Sequence, residues 1–397
     1  MKNNCILIDN GMCVTAYGKA TFCCMINDQG VNVTDDLKNY NALIAPQRVP
    51  AQTPGDDGFL KVCRGCKVKE DAGVRSRRVR YIDKAKQDKI VDGKLQYLDI
   101  SFGNTCNQMC VMCSSAFSSQ WRKTDLEMKA SGVSFREDTE TQHGGKRVPN
   151  NWHLSREKLD EIISLCDENL VQVDIKGGEP LYDKSFEYFV AAIIKKSPKV
   201  RISISTNLTK LSESRLEFIK TIPHINFGLS IDGIGKNYEW VRGWHDWNII
   251  DNNTRRLMSA LQPSQNASVN FTLNRYNMKE LLNVWNYVCS IGTESQKKIY
   301  LYLGQIATSP HSMSPRAADA NEALHTLEHL RIIKETNHEW ARIDLSHQGL
   351  VNYCNTILDT ANPFPAQYST KVWQSKMDIA HNTIVKARGW DINDFKT

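Results

Sequence analysis

The sequence Cys106-Asn-Gln-Met-Cys110-Val-Met-Cys113 carries three cysteines at the spacing C-x3-C-x2-C. It closely follows a β-type run at residues 98–102 and precedes a run with helical periodicity. Four thiolates complete the ligand set of a [4Fe–4S] cluster, so three thiolates leave one iron without a protein ligand. Such an iron can bind a substrate or a cofactor, as a catalytic zinc ion does at its open position. The alternative interpretations are a zinc knuckle and three unrelated thiols.

The chain has 397 residues, of which 41% are hydrophobic, and a formal net charge of +6. This length accommodates two or three domains, or one barrel with extensions. The positive charge is spread along the chain without a long run of like charges, so a nucleic-acid partner is not expected. The densest basic cluster, at residues 75–80, is either a solvated helix face or a site for an acidic group.

Twelve cysteines are many for a chain of this length, and nine of them precede residue 114. The N-terminus lacks the apolar segment of a signal peptide. The longest strongly apolar stretch, residues 188–194, is too short to span a membrane. We therefore expect a cytoplasmic protein without membrane contact, in which disulfides are disfavoured. Clustered cysteines in such a protein are better interpreted as metal ligands.

Residues 96–310 alternate between short apolar runs and amphipathic helical runs, which predicts βαβ units and a parallel sheet. The six predicted strands lie near residues 97–103, 171–176, 200–205, 225–231, 267–273 and 299–304. The helices lie near residues 110–130, 155–168, 183–196, 211–221, 250–261 and 278–291. Six units are too few for the eight-unit barrel. The predicted fold class is therefore α/β with a parallel sheet.

Two further regions flank these βαβ units. Residues 1–95 are rich in cysteine and include a polar, proline-containing stretch at 27–57 that we predict to be a long loop. Residues 311–397 are predicted to be a flank of helices and loops, with a clear helical run at 317–336.

The motifs that can bind ligands follow predicted strands, and in parallel α/β sheets ligands bind at the carboxyl ends of strands. In Gly177-Gly178-Glu179-Pro180 the glycines allow close approach to the backbone, and Glu179 offers an acceptor to a cationic amine. Thr206-Asn207 ends the next strand, and Ser230-Ile-Asp232 ends the one after it. Arg242 follows as a forked cation suited to a carboxylate. The alternatives are ordinary strand-end turns and, for Arg242, a surface salt bridge.

Together, the cysteine motif with Met112 before its last cysteine, and these strand-end motifs in this order, resemble the radical SAM enzymes. The resemblance implies a partial (β/α)6 barrel and a [4Fe–4S] cluster held by Cys106, Cys110 and Cys113. The open iron would then be chelated by S-adenosylmethionine (SAM). It implies that the Gly177–Pro180 motif holds the SAM amino group. Thr206, Asn207, Ser230 and Asp232 would contact its ribose and carboxylate, and Arg242 its carboxylate.

The N-terminal region resembles the twitch variant of these enzymes, which adds an auxiliary iron–sulfur cluster. The resemblance is closest in Cys63-Arg-Gly-Cys66, which is followed by Glu70, Gly73, Ser76 and Arg77. It implies Cys63 and Cys66 as two ligands. A Cys-Cys pair, Cys23-Cys24, would supply a third, and a cysteine near the start, Cys5 or else Cys13, the fourth. A structural zinc site is the alternative.

The expected function is therefore that of a radical SAM enzyme. Such an enzyme reductively cleaves SAM to a 5′-deoxyadenosyl radical, which abstracts hydrogen from a substrate. By family analogy we expect a peptide or protein substrate and an electron donor such as flavodoxin or ferredoxin. The two alternatives are a radical SAM enzyme for a sugar or small metabolite, and a non-catalytic zinc-binding scaffold. The sequence specifies neither the substrate nor the oligomeric state.

Overall fold

The structure is a computed structural model. It describes residues 5–26, 31–33, 37–52, 63–71, 75–130, 151–243, 245–307, 315, 320–344, 347–358, 382 and 385–386. All structural statements below refer to these residues.

The strands of this part of the chain form one ten-stranded sheet. In chain order they are β1 (Gly11–Val14), β2 (Lys19–Thr21), β3 (Val31–Asn32), β4 (Tyr97–Phe102), β5 (Gln172–Gly177), β6 (Arg201–Thr206), β7 (Ile225–Ser230), β8 (Asn266–Leu273), β9 (Ile299–Ile306) and β10 (Ala341–Ile343). The order across the sheet is β10-β9-β8-β7-β6-β5-β4-β1-β2-β3. Strands β4 to β9 are parallel and follow chain order, as in a singly wound barrel.

Helices connect these strands. They are α1 (Leu7–Asn10), α2 (Tyr40–Gln52), α3 (Arg64–Asp71), α4 (Arg77–Ala85), α5 (Trp121–Ala130), α6 (Arg156–Ser164), α7 (Ser185–Lys196), α8 (Glu213–Lys220), α9 (Gly235–Arg242), α10 (Trp247–Ala260), α11 (Leu281–Ser295), α12 (Ala320–Glu335) and α13 (His347–Leu358). Several begin at a polar N-cap. Ser76, Ser155 and Ser212 each accept a hydrogen bond from the backbone N–H three residues later.

The predicted α/β fold and its six central strands are confirmed, each within about two residues. Two local predictions are wrong, and other elements were missed. Residues 111–120 form turns, so the helix predicted from residue 110 begins at Trp121. The stretch predicted as a loop contains helix α2. Helix α9 and the short strand β10 were not predicted, while the helical run near 317–336 is confirmed as α12.

The N-terminal strands continue the barrel sheet. Strand β1 pairs in parallel with β4, with Gly11 opposite Tyr97 and Cys13 opposite Asp99. The buried side chain of Asn10 adds hydrogen bonds to the carbonyl oxygens of Val91 and Lys94, at 2.7 and 2.9 Å. The cysteine-rich region and the barrel are therefore joined through backbone hydrogen bonds.

The two faces of the sheet differ in character. Alternate side chains, including Ile100, Ile175 and Ile204, are buried in the apolar core on one face. The ladder registers place polar residues side by side on the other face, among them Asp99, Asp174, Ser203, Ser268, Asn270 and Tyr302. The interior of a closed barrel is filled by bulky branched side chains. This inner face is polar instead and suits a ligand.

Helix α4 lies against the inner face. The Tyr81 hydroxyl donates to Asp174 of β5 at 3.0 Å, and the Arg80 guanidinium donates to the Tyr302 hydroxyl of β9 at 3.0 Å. These two strands are four positions apart, about 19 Å in a flat sheet. One helix reaches both through adjacent residues, which indicates that the sheet curves around α4.

Candidate functional site

The three predicted cluster ligands lie on the loop that follows β4. The loop is fixed by the Trp121 indole N–H, which donates to the Cys110 carbonyl oxygen at 2.9 Å, and by the Val111 N–H, which donates to Val241 at 2.9 Å. Met109, Val111, Trp121 and Trp240 form a small buried apolar cluster beneath it. Packing on both sides thus holds the cysteine loop at the carboxyl end of the sheet.

The three thiols are close neighbours. Cys106 and Cys110 are 9% and 8% exposed, and Cys113 is half-buried. Burial, together with the neighbouring Cys110 and Cys113, raises the pKa of Cys106 well above its usual range. Metal binding would therefore release a proton from this thiol. Three thiols on one packed loop are the donor set that a [4Fe–4S] cluster requires, so the residues fit this group.

Hydrogen-bond donors already face the sulfur atoms. The Gln108 N–H donates to Cys106 Sγ at 3.4 Å, and the Asn207 amide donates to the same sulfur at 3.9 Å. The Arg242 guanidinium donates to Cys110 Sγ at 3.8 Å. Donors of this kind tune the potential of an iron–sulfur cluster.

Arg242 and Asp232 form a buried ion pair with 2.5 Å between Nε and Oδ2. Asp232 also accepts a hydrogen bond from the Thr272 N–H at 2.6 Å. Burial alone would lower the pKa of Arg242, but the charges of Asp232 and Cys110 hold it above its usual value. Asp232 therefore positions the arginine, and the surface salt bridge considered for Arg242 is not what the structure shows.

The two glycines of the Gly-Gly-Glu-Pro motif let two loops pass closely. A Cβ at Gly178 would lie 2.1 Å from the Thr105 carbonyl oxygen, just before the first cysteine. Gly177 has φ +127°, and a Cβ there would lie 2.7 Å from the Phe102 nitrogen. The Glu179 N–H then donates to Thr105 at 2.9 Å. The close approach expected for a ligand is made by the protein's own cysteine loop.

Glu179 ties β5 to β6. It is 2% exposed, and its carboxylate accepts hydrogen bonds from the Thr206 hydroxyl and the Asn207 N–H, both at 2.6 Å. The Leu181 N–H adds a third at 3.0 Å. Burial raises the pKa of Glu179 to about 6 against these donors, which lower it. The motif ends at Pro180, which is buried in a short 3-10 turn.

The structure brings most of the predicted cofactor-binding residues to this edge of the sheet. Ser230 ends β7 on the inner face, opposite Asn270 of β8. Met112 is half-buried against the apolar cluster under the cysteine loop. Sequence reasoning missed Thr105 and Gln108, because nothing in the spacing of a cysteine motif marks which neighbours hydrogen-bond to it.

A second group of four cysteines surrounds one pocket in the N-terminal region. The pocket is lined by Cys5, Cys23, Cys63 and Cys66, with Arg77 and Arg78 beside them. Cys63 and Cys66 lie at the start of α3, where a separation of three residues places them on one helix face. Burial raises the pKa of Cys5 to about 12 and that of Cys63 to about 11, with neighbouring thiols adding to both shifts.

Cys13 and Cys24 do not line this pocket. Cys13 lies on β1 opposite Asp99, and burial raises its pKa. The hydrogen bond from Cys23, together with the charges of Arg77 and Lys176, lowers the pKa of Cys24 to about 7. Of the ligand choices that the sequence left open, the structure places Cys5 and Cys23 at the pocket.

Two residues that follow Cys66, Glu70 and Ser76, brace α3 against α4. Glu70 forms an ion pair with Arg78 and accepts a hydrogen bond from the Ser76 hydroxyl. Ser76 in turn caps α4 by accepting from the Val79 N–H at 3.1 Å. These contacts fix the helix that carries Cys63 and Cys66 relative to the barrel.

Two absences hold across the residues that the structure describes. No three histidine, cysteine, aspartate or glutamate side chains in them converge on a position suited to a single metal ion. None of their helices is both long and apolar enough to cross a membrane.

Comparison with protein families decides the nature of the barrel. Residues 100–286 match the family model of the radical SAM superfamily. Residues 100–286 carry a radical SAM domain. The match begins within β4, includes all three cysteines and extends into α11. The predicted resemblance to the radical SAM family is confirmed for these residues. No curated protein matches the chain.

Several solved structures are similar to parts of this chain. Streptococcus suis SuiB bound to S-adenosylmethionine is 11% identical with a TM-score of 0.39, covering 79% of this chain and 61% of SuiB. SuiB bound to the precursor peptide SuiA is 11% identical with a TM-score of 0.38, covering 87% and 73%. Native anSMEcpe with bound AdoMet is 12% identical with a TM-score of 0.42, covering 60% and 61%. The chain thus spans about three fifths of the length of the first of these proteins, and the family match carries the assignment.

Proposed function

We propose that this protein is a SAM-cleaving enzyme whose active site is the edge of the sheet that holds Cys106, Cys110 and Cys113. When bound there, a [4Fe–4S] cluster supplies the electron that cleaves SAM to methionine and a 5′-deoxyadenosyl radical, which abstracts hydrogen from the substrate. The observation that carries the proposal is the contact between the cysteine loop and the Gly177–Glu179 turn. It places the three thiols beside the groups proposed to hold SAM.

The protein's own groups prepare this site. Arg242 and Asn207 direct positive charge and an amide N–H at the thiols, which favours their deprotonated form. The buried apolar cluster beneath the loop excludes water from one side of it. Glu179 supplies negative charge for the SAM ammonium, and Ser230 and Thr206 supply short polar groups at strand ends. The residues therefore bind, orient and shield, while the cofactors provide the chemistry.

The role of Glu179 can be tested by Glu179→Gln. We expect SAM affinity to fall by roughly tenfold to a hundredfold, because a charge-assisted hydrogen bond contributes about 1.5–3 kcal/mol. Calorimetric titration of the reconstituted protein with SAM measures this. Glu217→Gln is the matched control, since Glu217 lies on α8 with a side chain that is 65% exposed. If both variants bind SAM with equal affinity, Glu179 does not hold the SAM ammonium and serves only to link β5 to β6.

We further propose that the N-terminal pocket holds an auxiliary [4Fe–4S] cluster ligated by Cys5, Cys23, Cys63 and Cys66. Four thiolates would complete its coordination, which suits electron transfer. The support is that these four cysteines line one pocket, while Cys13 and Cys24 do not. Arg77 and Arg78 at the rim would offset the negative charge of a thiolate-ligated cluster.

Iron analysis tests the auxiliary site. After anaerobic reconstitution we expect roughly eight irons per chain in the wild type and roughly four in Cys63→Ala/Cys66→Ala. Cys23→Ala should also lose iron, whereas Cys13→Ser and Cys24→Ser should keep the wild-type content. About four irons and one zinc in the wild type would make the N-terminal region a zinc-stapled module. Iron loss in Cys24→Ser but not in Cys23→Ala would reverse the assignment within that pair.

For the substrate we propose a peptide or protein, with a flavodoxin or ferredoxin as electron donor. The support is the resemblance of the N-terminal cysteine pattern to enzymes with auxiliary clusters, which often modify peptides. A sugar or small metabolite is the alternative. Incubation of candidate substrates with SAM and reductant, followed by mass spectrometry, separates these classes. A colourless zinc protein without SAM cleavage would instead indicate a non-catalytic scaffold.

A further inference from the structure

The basic cluster at residues 75–80 divides between two environments. Arg75 pairs with Asp83 at 2.6 Å, with both side chains more than a third exposed. Arg78 pairs with Glu70 at the rim of the N-terminal pocket. Arg77 and Arg80 point instead to the inner face of the barrel. The cluster is therefore more than a solvated helix face.

Two of the cations on the inner face are matched by carboxylates. Arg77 lies 2.9 Å from Asp99 and 3.8 Å from Asp174. Lys176 of β5 lies 2.7 Å from the same Asp99. These four groups form a compact network with two positive and two negative charges. Its charges balance, so it needs no additional anion.

The next two cations along α4 have no such match. Arg80 donates to the Tyr302 hydroxyl, and its buried Nε has no hydrogen-bond partner among the residues that the structure describes. Lys84 donates to the side-chain oxygen of Gln172 and lies 5.2 Å from the centre of the Tyr81 ring. Neither forms an ion pair with a carboxylate among the described residues. An unpaired buried donor costs free energy, so the Arg80 guanidinium favours an additional acceptor such as an anion.

The strands opposite Arg80 provide polar groups that could bind the same anion. Asn270 pairs with Tyr302 in the β8–β9 ladder, and Ser268 precedes it on the same face. The Tyr302 hydroxyl accepts from Arg80 and keeps its own proton free to donate. An arginine and a hydroxyl that lie in contact with each other are suited to a carboxylate.

We propose that Arg80 binds a carboxylate of the substrate inside the barrel, with the Tyr302 hydroxyl as a second donor. This inference rests on the proposed function and specifies its substrate as an acid. The carboxylate is supplied either by an acidic side chain of a peptide or by a free carboxylic acid. In both cases the contact orients the substrate from the α4 side of the barrel, away from the SAM site.

Calorimetry on the anaerobically reconstituted full-length protein tests the inference. The probes are acetyl-Gly-Glu-Gly-amide and its Gln counterpart, with glutarate and glutaramide as the free-acid pair. We expect the wild type to bind the acid at least about tenfold more tightly than the amide. Arg80→Gln should abolish this preference, and Arg80→Lys should retain part of it. Lys86→Gln is the control, because it removes a charge from the end of the same helix at a side chain that is 71% exposed.

The possible outcomes distinguish a peptide acid, a free acid and a substrate without a bound carboxylate. A preference for the Glu peptide that depends on Arg80 supports a peptide acid, and the same dependence with glutarate alone supports a free acid. A wild type without preference, or Arg80→Gln with an unchanged preference, overturns the inference. Formation of 5′-deoxyadenosine by the wild type is measured in parallel. SAM cleavage without acid preference refutes this inference alone, whereas acid preference without SAM cleavage refutes the proposed function alone.

Discussion

Cys106→Ala, Cys110→Ala and Cys113→Ala are each expected to form no detectable 5′-deoxyadenosine from SAM under reducing conditions. Each change removes one of only three protein ligands, and a cluster with two protein ligands is not expected to survive at this partly buried loop. The measurement is chromatographic detection of 5′-deoxyadenosine after anaerobic reconstitution, together with the iron content.

Cys166→Ala serves as the control for these variants. Cys166 is 1% exposed and lies just after α6, away from both cysteine groups, so its loss costs packing without removing a ligand. The Cys166→Ala variant should cleave SAM as the wild type does. Wild-type formation of 5′-deoxyadenosine by any one of the three loop variants would refute the proposed cluster.

Gly178→Ala is expected to reduce iron content and SAM binding nearly as strongly as the cysteine variants, although it changes no functional group. Its Cβ would lie 2.1 Å from the Thr105 carbonyl oxygen, and backbone on both sides leaves no flexible atom to give way. Overpacking typically costs about 1–3 kcal/mol, and here the displacement falls on the residue before Cys106. We expect a lower melting temperature, a loss of about four irons relative to the wild type, and loss of SAM binding.

Gly93→Ala separates this clash from a simple backbone effect. Gly93 has φ +71° with nothing within 4 Å of the added Cβ, so alanine there brings strain without a collision. It should reduce the melting temperature and leave the iron content intact. If Gly178→Ala retains full iron and SAM affinity, the close approach of the two loops is not needed for the site.

Much of the barrel was predictable because its strands carry a simple signal. Short apolar runs between amphipathic helices located all six central strands, since buried strands need continuous apolar sequence. The same reasoning failed at residues 111–120. Their sequence is compatible with a helix, but packing and hydrogen bonds from Trp121 and Val111 hold them as turns.

The finer assignments depended on contacts distant in sequence. Spacing could not distinguish Cys5 from Cys13, because a strand places Cys13 on the inner face and a turn brings Cys5 to the pocket. The absence of a side chain at Gly178 predicted a close approach there, but its partner, Thr105, is 73 residues earlier in the chain. The basic character of α4 was evident, whereas its position inside the barrel required the curvature of the sheet.

The parallel pairing of β1 with β4 has a consequence for the modularity of this protein. A segment joined by a flexible linker can be exchanged between enzymes during evolution without disturbing its neighbour. Here the cysteine-rich segment supplies the strand beside β4, and its helix α4 lies against the inner face of the sheet. Recombination that replaced this segment would have to match both a strand register and the shape of an interior. The two regions are therefore expected to be inherited together.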